Sequence, residues 1–411
     1  MNLRIAPSGL IFIAFWLFGL INNVLYVVNL SAAIDLVGPL VPKATVLLAD
    51  VMPSFLIKLC APFFVHVIPY NVRISIFVVL SFLGMTVVAL SDSIGFKLLG
   101  IVLASISSGL GELSFLQLTH FYGEISLAGF SSGTGGAGLV GSFAYLVFTT
   151  WVGLSVRSTL LLFSVAPTVF WIAYYIILPK PEVVSVTTGG VEYRAIEEQD
   201  PESRIMGAST DLDDVVAALE PKKPRFDSFS VTLARLRPYV VPFMAPLFLV
   251  YISEYIINQG ISPTLLFPIE EMPFTKYRDA YVTYGTLYQL GVFISRSSSA
   301  FVRIRRVYIP SLLQALNLVV VIYQSLYMVI PNVYLVMLLV FYEGLLGGAS
   351  YVNTFLLVSE TVPLQDREFA MGSVGISDSA GVVCAGLISM WLEKYLCGYQ
   401  KSTGRPWCEL P

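Results

Sequence analysis

Ionisable side chains inside long apolar stretches are the residues of this sequence best placed to do chemistry. Five acids and two bases stand in or at the end of such stretches: Asp50, Glu112, Glu254, Glu343, Asp378, Lys58 and Arg296. A charge in a bilayer is costly unless it faces a polar cavity or a partner, so each is a functional candidate. Buried carboxyl groups can carry protons, and surplus acids can bind a cation. An anionic ligand would instead need Lys58 or Arg296, and the sequence alone does not choose between the two classes.

Helical spacing places several of these residues on shared faces. Ser105, Ser108 and Glu112 predict a narrow polar stripe by their i, i+3, i+4 spacing. Two further faces combine acids with polar, aromatic or small residues: Tyr251, Glu254, Tyr255 and Asn258 on one, and Glu343, Gly347, Ser350 and Thr354 on the other. Each face can line a cavity or form a hydrogen-bonded contact between helices. Asp50 and Lys58 have a proline between them that can kink their helix, so each is expected to pair with another helix or to face the cavity.

A run of small residues, 131–138, contains the pattern G-x-G-x-x-G at Gly133, Gly135 and Gly138. In nucleotide-binding proteins this pattern follows a strand and is followed by a ribose-binding acid, and neither feature is present here. Small residues at this density let two helices approach closely. The run therefore predicts packing of the fourth apolar stretch against the fifth.

Several classes of protein are disfavoured. The formal net charge of -3 and the lack of a basic stripe argue against a nucleic-acid partner. The four cysteines lack metal-ligand spacing, so neither a metal site nor a cofactor is expected. His66 and His120 have no nucleophile or metal set around them, and nothing supports an enzyme.

The elements that must position the candidates are membrane-spanning helices. With 56% hydrophobic and 12% charged residues, a soluble chain of 411 residues would have too little polar surface. The apolar stretches do not alternate as barrel strands would, which predicts an all-α polytopic membrane protein with about 11 helices. The predicted spans are 10–30, 46–68, 74–91, 97–119, 133–152, 158–178, 239–260, 280–297, 307–329, 333–357 and 369–392.

A polar segment divides these spans into two groups. Residues 179–238 hold clusters of charges and few large apolar residues, so we predict a largely disordered cytosolic linker there. It separates an N-terminal six-helix bundle (1–178) from a C-terminal five-helix bundle (239–395) and a short tail (396–411). Six spans, a long linker and a second bundle resemble the two-half plan of major facilitator transporters, although a twelfth span is missing.

The basic residues of the linker and of 303–306 favour a cytosolic N-terminus and linker. Eleven spans then place the tail, with Cys397 and Cys408, on the lumenal side. A disulfide between these cysteines fits an oxidising compartment, and two unpaired thiols are the alternative.

Several blocks resemble the battenin family of lysosomal membrane proteins in order and spacing as well as in residues. They include Asn22-Asn23, Val46 to Asp50, Ala104 to Glu112, Ser131 to Gly138, Glu254-Tyr255, Ser295 to Ser298, Tyr342 to Ala349, and Arg367 to Met371. The match covers nearly the whole chain except the linker and both tails. It implies a major-facilitator-like, multi-pass protein of the lysosomal, late endosomal or vacuolar membrane. The family is associated with lysosomal pH homeostasis, with lysosomal arginine levels and with export of glycerophosphodiesters.

Three functional hypotheses follow from this resemblance. The first is a transporter of glycerophosphodiesters or another small polar metabolite, and the second is basic amino acid (arginine) transport. The third is a non-transporting regulator of endosomal and Golgi trafficking and acidification. The candidates for substrate binding and proton coupling are Asn22, Lys58, Glu112, Glu254, Asn258, Gln289, Arg296, Glu343, Asn353 and Asp378. Under the first hypothesis Lys58 or Arg296 would meet the phosphate, Glu254 or Glu343 would carry a proton, and the amides would bind hydroxyl groups.

The linker also contains a tyrosine followed by a bulky residue three positions later, Tyr193 and Ile196. Sorting adaptors can bind such a pattern as an extended strand, so we expect sorting adaptors as partners alongside a small-molecule substrate and the lipid bilayer.

Overall fold

The described part of the chain is built mainly from helices. The computed structural model describes residues 7–32, 43–179, 182–187, 190–194, 229–273 and 277–409. Its α-helices are α1 (Pro7–Ser31), α2 (Lys43–Cys60), α3 (Tyr70–Leu90), α4 (Ile94–Leu118), α5 (Gly123–Leu146), α6 (Val156–Val165), α7 (Val169–Ile172), α8 (Phe229–Tyr239), α9 (Ala245–Ile256), α10 (Tyr277–Ser297), α11 (Tyr308–Tyr327), α12 (Val333–Thr361), α13 (Leu364–Val374) and α14 (Ile376–Ser402). We call residues 7–179 the N-terminal half and 229–409 the C-terminal half.

Eight helical stretches of the described residues are long and apolar enough to cross a membrane. They are Pro7–Asn29, Tyr70–Leu90, Ile94–Phe121, Val156–Ile177, Ser230–Thr264, Tyr308–Tyr327, Val333–Thr361 and Leu364–Ser402. Helices α2, α5 and α10 have 18, 24 and 21 residues and are richer in charged, glycine or polar residues. Together with the eight stretches they account for the predicted total of about 11, and the predicted all-α fold is confirmed.

The segment predicted as a disordered linker lies mostly outside the described residues. Within it, β1 (Glu182–Thr187) pairs antiparallel with β2 (Gly190–Arg194). Helix α8 begins at Phe229, ten residues before the predicted start of the second bundle. This helix is held by packing on α13, where Arg235 pairs with Asp366 at 3.1 Å and covers the ring of Phe369 at 4.2 Å.

Helix α5 packs between α1 and α10, and the expectation that the run 131–138 packs against the fourth span is wrong. A Cβ added at Gly133 would collide with the backbone carbonyl of Trp16 in α1. On another face, a Cβ at Gly135 would lie 3.1 Å from Cβ of Arg296 in α10. Because glycine removes side chains from more than one face, α5 can contact two helices closely. The G-x-G-x-x-G residues thus lie inside a helix that joins the two halves.

Aromatic packing fixes α1 against α4 in the N-terminal half. The rings of Phe18 and Phe115 are stacked with centroids 4.4 Å apart. One helical turn along α1, Asn22 donates to the carbonyl oxygen of Ser108 at 3.1 Å. These contacts hold the polar stripe of α4 in a defined orientation towards the centre of the protein.

The last helix continues beyond the predicted boundary at residue 395 and ends at Ser402. Cys397 and Cys408 are joined as a disulfide, with Cα atoms 5.8 Å apart. The amide of Gln400 donates to the carbonyl oxygens of Thr264 (2.9 Å) and Ser325 (2.8 Å). The tail is therefore attached to the ends of two other helical segments of the C-terminal half.

Candidate functional site

A cavity of about 120 Å³ lies between the two halves. The N-terminal half contributes Tyr26, Lys58 and Glu112 to its wall, and the C-terminal half contributes Tyr251, Arg296 and Asp378. We call it the central cavity. Four of the ten candidates from the sequence line it, namely Lys58, Glu112, Arg296 and Asp378.

Lys58 is held in an ion pair that connects the halves. Its Nζ atom lies 2.6 Å from Oε2 of Glu112 in the same half and 3.6 Å from Oδ1 of Asp378 in the other half. It also donates to Oγ of Ser379 at 2.8 Å. The charge of Lys58, 97% buried, is thus balanced by two carboxylates. Lys58 therefore pairs with other helices and also lines the cavity, so both expectations for this lysine apply.

Arg296 has a different environment. Its Nη1 donates to Oγ1 of Thr134 (2.6 Å) and its Nη2 to the hydroxyl of Tyr251 (2.9 Å). The guanidinium lies over the ring of Tyr351, 4.1 Å from the centroid, and Nε is buried without a hydrogen-bond partner. Among the described side chains, no carboxylate lies within 4.0 Å of it. A partly buried guanidinium whose hydrogen bonds go to neutral groups is suited to bind an anion bidentately.

A second group of acids lies in the C-terminal half, apart from the wall of the central cavity. Oε1 of Glu254 accepts a hydrogen bond from the hydroxyl of Tyr288, and Oε1 of Glu343 accepts one from Nδ2 of Asn258 at 2.8 Å. Both glutamates are at least 98% buried, and the Oε2 atom of each has no hydrogen-bond partner. We call Glu254, Glu343, Tyr288 and Asn258 the acid cluster.

A glycine of α12 makes room for the acid cluster. A Cβ at Gly347, one turn after Glu343, would collide with the carboxylate of Glu254. The face on which the sequence places Glu343 and Gly347 is therefore contacted at Gly347 by a carboxylate of α9. This is the close approach that only glycine allows here.

The remaining candidates lie at three other places. Asn22 lines a smaller cavity beside the central one. Gln289 lies against Gly138, between α10 and α5. Oδ1 of Asn353 accepts from the backbone amide of Ile304 at 2.7 Å, at the end of the bundle that carries the linker. Tyr193 stands in β2 opposite Val183, and Ile196 lies outside the described residues.

Contacts at the end of the bundle that carries the linker join the two halves. Arg303 bonds to Glu124 of the N-terminal half and lies 3.1 Å from Glu360 of its own half. The hydroxyl of Tyr70 donates to Glu368 across the halves at 2.6 Å. The hydrogen bond and charge of Glu124 raise the pKa of Arg303, which therefore remains charged. We call these the linker-side contacts.

Several cavity residues were missed as ligand candidates because their types are common in membrane helices. Thr134 lies within the glycine run, and Tyr26 stands one turn after Asn22. Tyr251 shares a helical face with Glu254, which is the signal that could have identified it.

Comparison with known proteins identifies the family. The sequence model of the CLN3 protein family matches residues 13–399. Protein BTN1 of Yarrowia lipolytica is 58% identical over 99% of this chain and 100% of its own length. Protein btn1 of Aspergillus fumigatus is 51% identical over 96% of this chain and 90% of its own length.

Solved structures show a related fold at low sequence identity. A bacterial homologue of the iron transporter ferroportin, in an outward-facing state, superimposes with a TM-score of 0.57 at 15% identity, covering 98% of this chain and 96% of that one. A proton:xylose symporter of the major facilitator superfamily gives 0.56 at 15% identity, covering 98% and 92%. The chain is a multi-pass membrane protein with a major-facilitator fold, and it belongs to the CLN3 (battenin) protein family.

Proposed function

We propose that this protein transports small polar metabolites, with glycerophosphodiesters first among them, across the lysosomal, late endosomal or vacuolar membrane. Transport would proceed by alternating access, in which the halves rock around a site between them. The observation that supports this most directly is Arg296, a partly buried cation on the cavity wall whose hydrogen bonds go to neutral groups. A phosphodiester carries one negative charge and two oxygens that a guanidinium can bind together. Lys58 is less suited to this role because Glu112 and Asp378 already balance it.

The acid cluster supports proton coupling in this proposal. Two buried carboxyl groups, each with one oxygen lacking a donor, are suited to gain and lose a proton during the cycle. Export from an acidic lumen would then be driven by the pH gradient and would contribute to lysosomal pH homeostasis. The same proposal includes a cytosolic N-terminus, a lumenal tail, the division into two bundles and the contact of Tyr193 with sorting adaptors.

A second candidate is transport of arginine, and the surplus of acids favours it. Three acids line the central cavity, namely Asp50, Glu112 and Asp378, and two bases do, namely Lys58 and Arg296. A cationic substrate could replace Lys58 as the partner of these carboxylates. The third hypothesis, a regulator that does not transport, predicts that the linker matters more than the cavity.

Counterflow into proteoliposomes that hold the purified protein tests these hypotheses. Labelled glycerophosphodiester and labelled arginine are compared at pH 5 and pH 7 on the lumenal side. We expect uptake of the glycerophosphodiester, with a dependence on pH. Uptake of arginine alone would replace the first candidate by the second. Uptake of neither by folded protein would leave the regulatory hypothesis.

A further inference from the structure

Asp50 is a cavity acid that neither the ion pair of Lys58 nor the acid cluster includes. It lies in α2, three residues before Pro53. Oγ of Ser105 in α4 accepts from the backbone amide of Ser54 at 3.0 Å and donates to the carbonyl oxygen of Asp50. Those two backbone groups pair in a regular helix, so a side chain of α4 contributes to the hydrogen bonding of α2 at this point. The backbone of Asp50 is thereby fixed beside the cavity.

Among the described side chains, the carboxylate of Asp50 has no partner of opposite charge. It is 95% buried, and its Oδ2 atom has no hydrogen-bond partner. Among the described side chains, no lysine or arginine lies within 4.0 Å of it. Glu112 and Asp378 on the same cavity wall both lie near Lys58, so Asp50 differs from them. A buried carboxylate without a cation is costly, and a cationic group of a ligand would remove that cost.

The surroundings of Asp50 are suited to an ammonium group. Tyr26 and Asp50 line both the central cavity and the smaller one beside it, and Tyr255 of the other half lines the central cavity. Tyrosine rings attract ammonium and quaternary ammonium groups through the negative faces of their π-systems. A carboxylate among such rings is the chemistry that recognises these cations.

Among the described residues, the central cavity thus has two ionisable groups of opposite sign that have no ion-pair partner within 4.0 Å. Arg296 can meet an anionic group and Asp50 a cationic one, on the wall of the same cavity. A ligand with both groups would satisfy both residues at once. A ligand with only the anionic group would leave Asp50 unpaired.

We propose that Asp50, with Tyr26 and Tyr255, forms an ammonium-binding subsite, and that the preferred substrates are zwitterions that carry one anionic group and one ammonium group. This inference rests on the proposed function and adds a rule of selectivity to it. Phosphodiesters of choline or ethanolamine have the required charges, whereas glycerophosphoglycerol has the phosphate alone. Amino acids also carry both charges, and arginine, which has a guanidinium in addition, serves as the probe for them.

The test compares Asp50→Asn with the wild type in proteoliposomes, using labelled glycerophosphocholine, glycerophosphoglycerol and arginine as separate probes. The substitution keeps the shape of the side chain and removes its charge. We expect uptake of glycerophosphocholine to fall about tenfold or more, because its quaternary ammonium group loses the opposite charge of Asp50, while uptake of glycerophosphoglycerol stays within about twofold. Asp92→Asn, an exposed position in the loop between α3 and α4, is the matched control.

The outcomes separate this inference from the proposed function. Equal loss of both phosphodiesters in Asp50→Asn, or no loss of either, would overturn the subsite and leave the transporter intact. Transport of glycerophosphoglycerol but not glycerophosphocholine by the wild type would do the same. Loss of arginine uptake together with glycerophosphocholine uptake in the variant would support the subsite and extend it to amino acids. Failure of the wild type to transport any probe would remove both proposals.

Discussion

Nη1 of Arg296, in the C-terminal half, donates a 2.6 Å hydrogen bond to Oγ1 of Thr134 in the N-terminal half. One side chain of the central cavity therefore contacts both bodies that must move apart during alternating access. Gly135, next to Thr134, has no side chain, so the aliphatic part of Arg296 packs closely against α5. An anion that binds the guanidinium can compete with Thr134 for Nη1, and this connects ligand binding with the contact between the halves.

The first prediction concerns the geometry of the Arg296 guanidinium. Arg296→Lys keeps the charge but loses the planar fork and the stacking on Tyr351, so glycerophosphodiester uptake should fall about tenfold or more. Initial rates in proteoliposomes measure the effect, and Arg306→Lys in the exposed loop is the control. A lysine variant with the rate of the wild type would show that charge alone is required.

The second prediction concerns the acid cluster. Glu343→Gln preserves the hydrogen bond from Asn258 but cannot exchange a proton, so transport driven by a pH gradient should be abolished while sorting remains normal. Uptake with and without a gradient, together with the location of a tagged protein in cells, measures both effects. Glu271→Gln, at an exposed loop position, is the control. A variant that only misfolds would remove the coupling role from Glu343.

The third prediction concerns the space at Gly347. Gly347→Ala should lower the free energy of unfolding by about 1–3 kcal/mol because its methyl group collides with the Glu254 carboxylate. Thermal unfolding in detergent measures the loss. In a Glu254→Ala background the same substitution should cost much less. Gly398→Ala is the control, since a Cβ there meets no atom within 4 Å.

The fourth prediction concerns the linker-side contacts. Arg303→Glu should place three acids together and favour separation of the halves at that end, which labelling of an introduced cysteine would detect as increased accessibility. Glu124→Arg in the same chain restores an opposite pair and should return labelling towards that of the wild type. If the double variant labels like the single one, the pair does not hold that end closed.

The fifth prediction concerns the tail. Denatured, unreduced protein should show two reactive thiols, Cys60 and Cys384, and reduction should raise the count to four by releasing Cys397 and Cys408. A thiol titration measures both values. An unchanged count after reduction would remove the disulfide.

The sequence predicted the class of fold and the residues that carry charge in the membrane, because apolar stretches and their exceptions are local features. The residues with which these charged side chains pair could not be predicted in the same way. Lys58 pairs with Glu112 at a separation of 54 residues and with Ser379 at 321, so only the packing of helices shows that its charge is balanced. That no described carboxylate lies within 4.0 Å of Arg296 is likewise a property of the assembled bundle. The sequence predicted the wrong packing partner for α5, because small residues indicate that two helices pack closely but do not show which helix is the neighbour.

The bridge that Ser105 makes between Asp50 and Ser54 also has a mechanical consequence. At this point the backbone hydrogen bonding of α2 depends on an atom that belongs to α4, because the hydroxyl both accepts from and donates to the backbone of α2. A shift of α4 along α2 would therefore change the angle between the segments before and after Pro53. Since Asp50 stands on one side of that proline and Lys58 on the other, the same shift would alter the distance between two charged groups of the cavity.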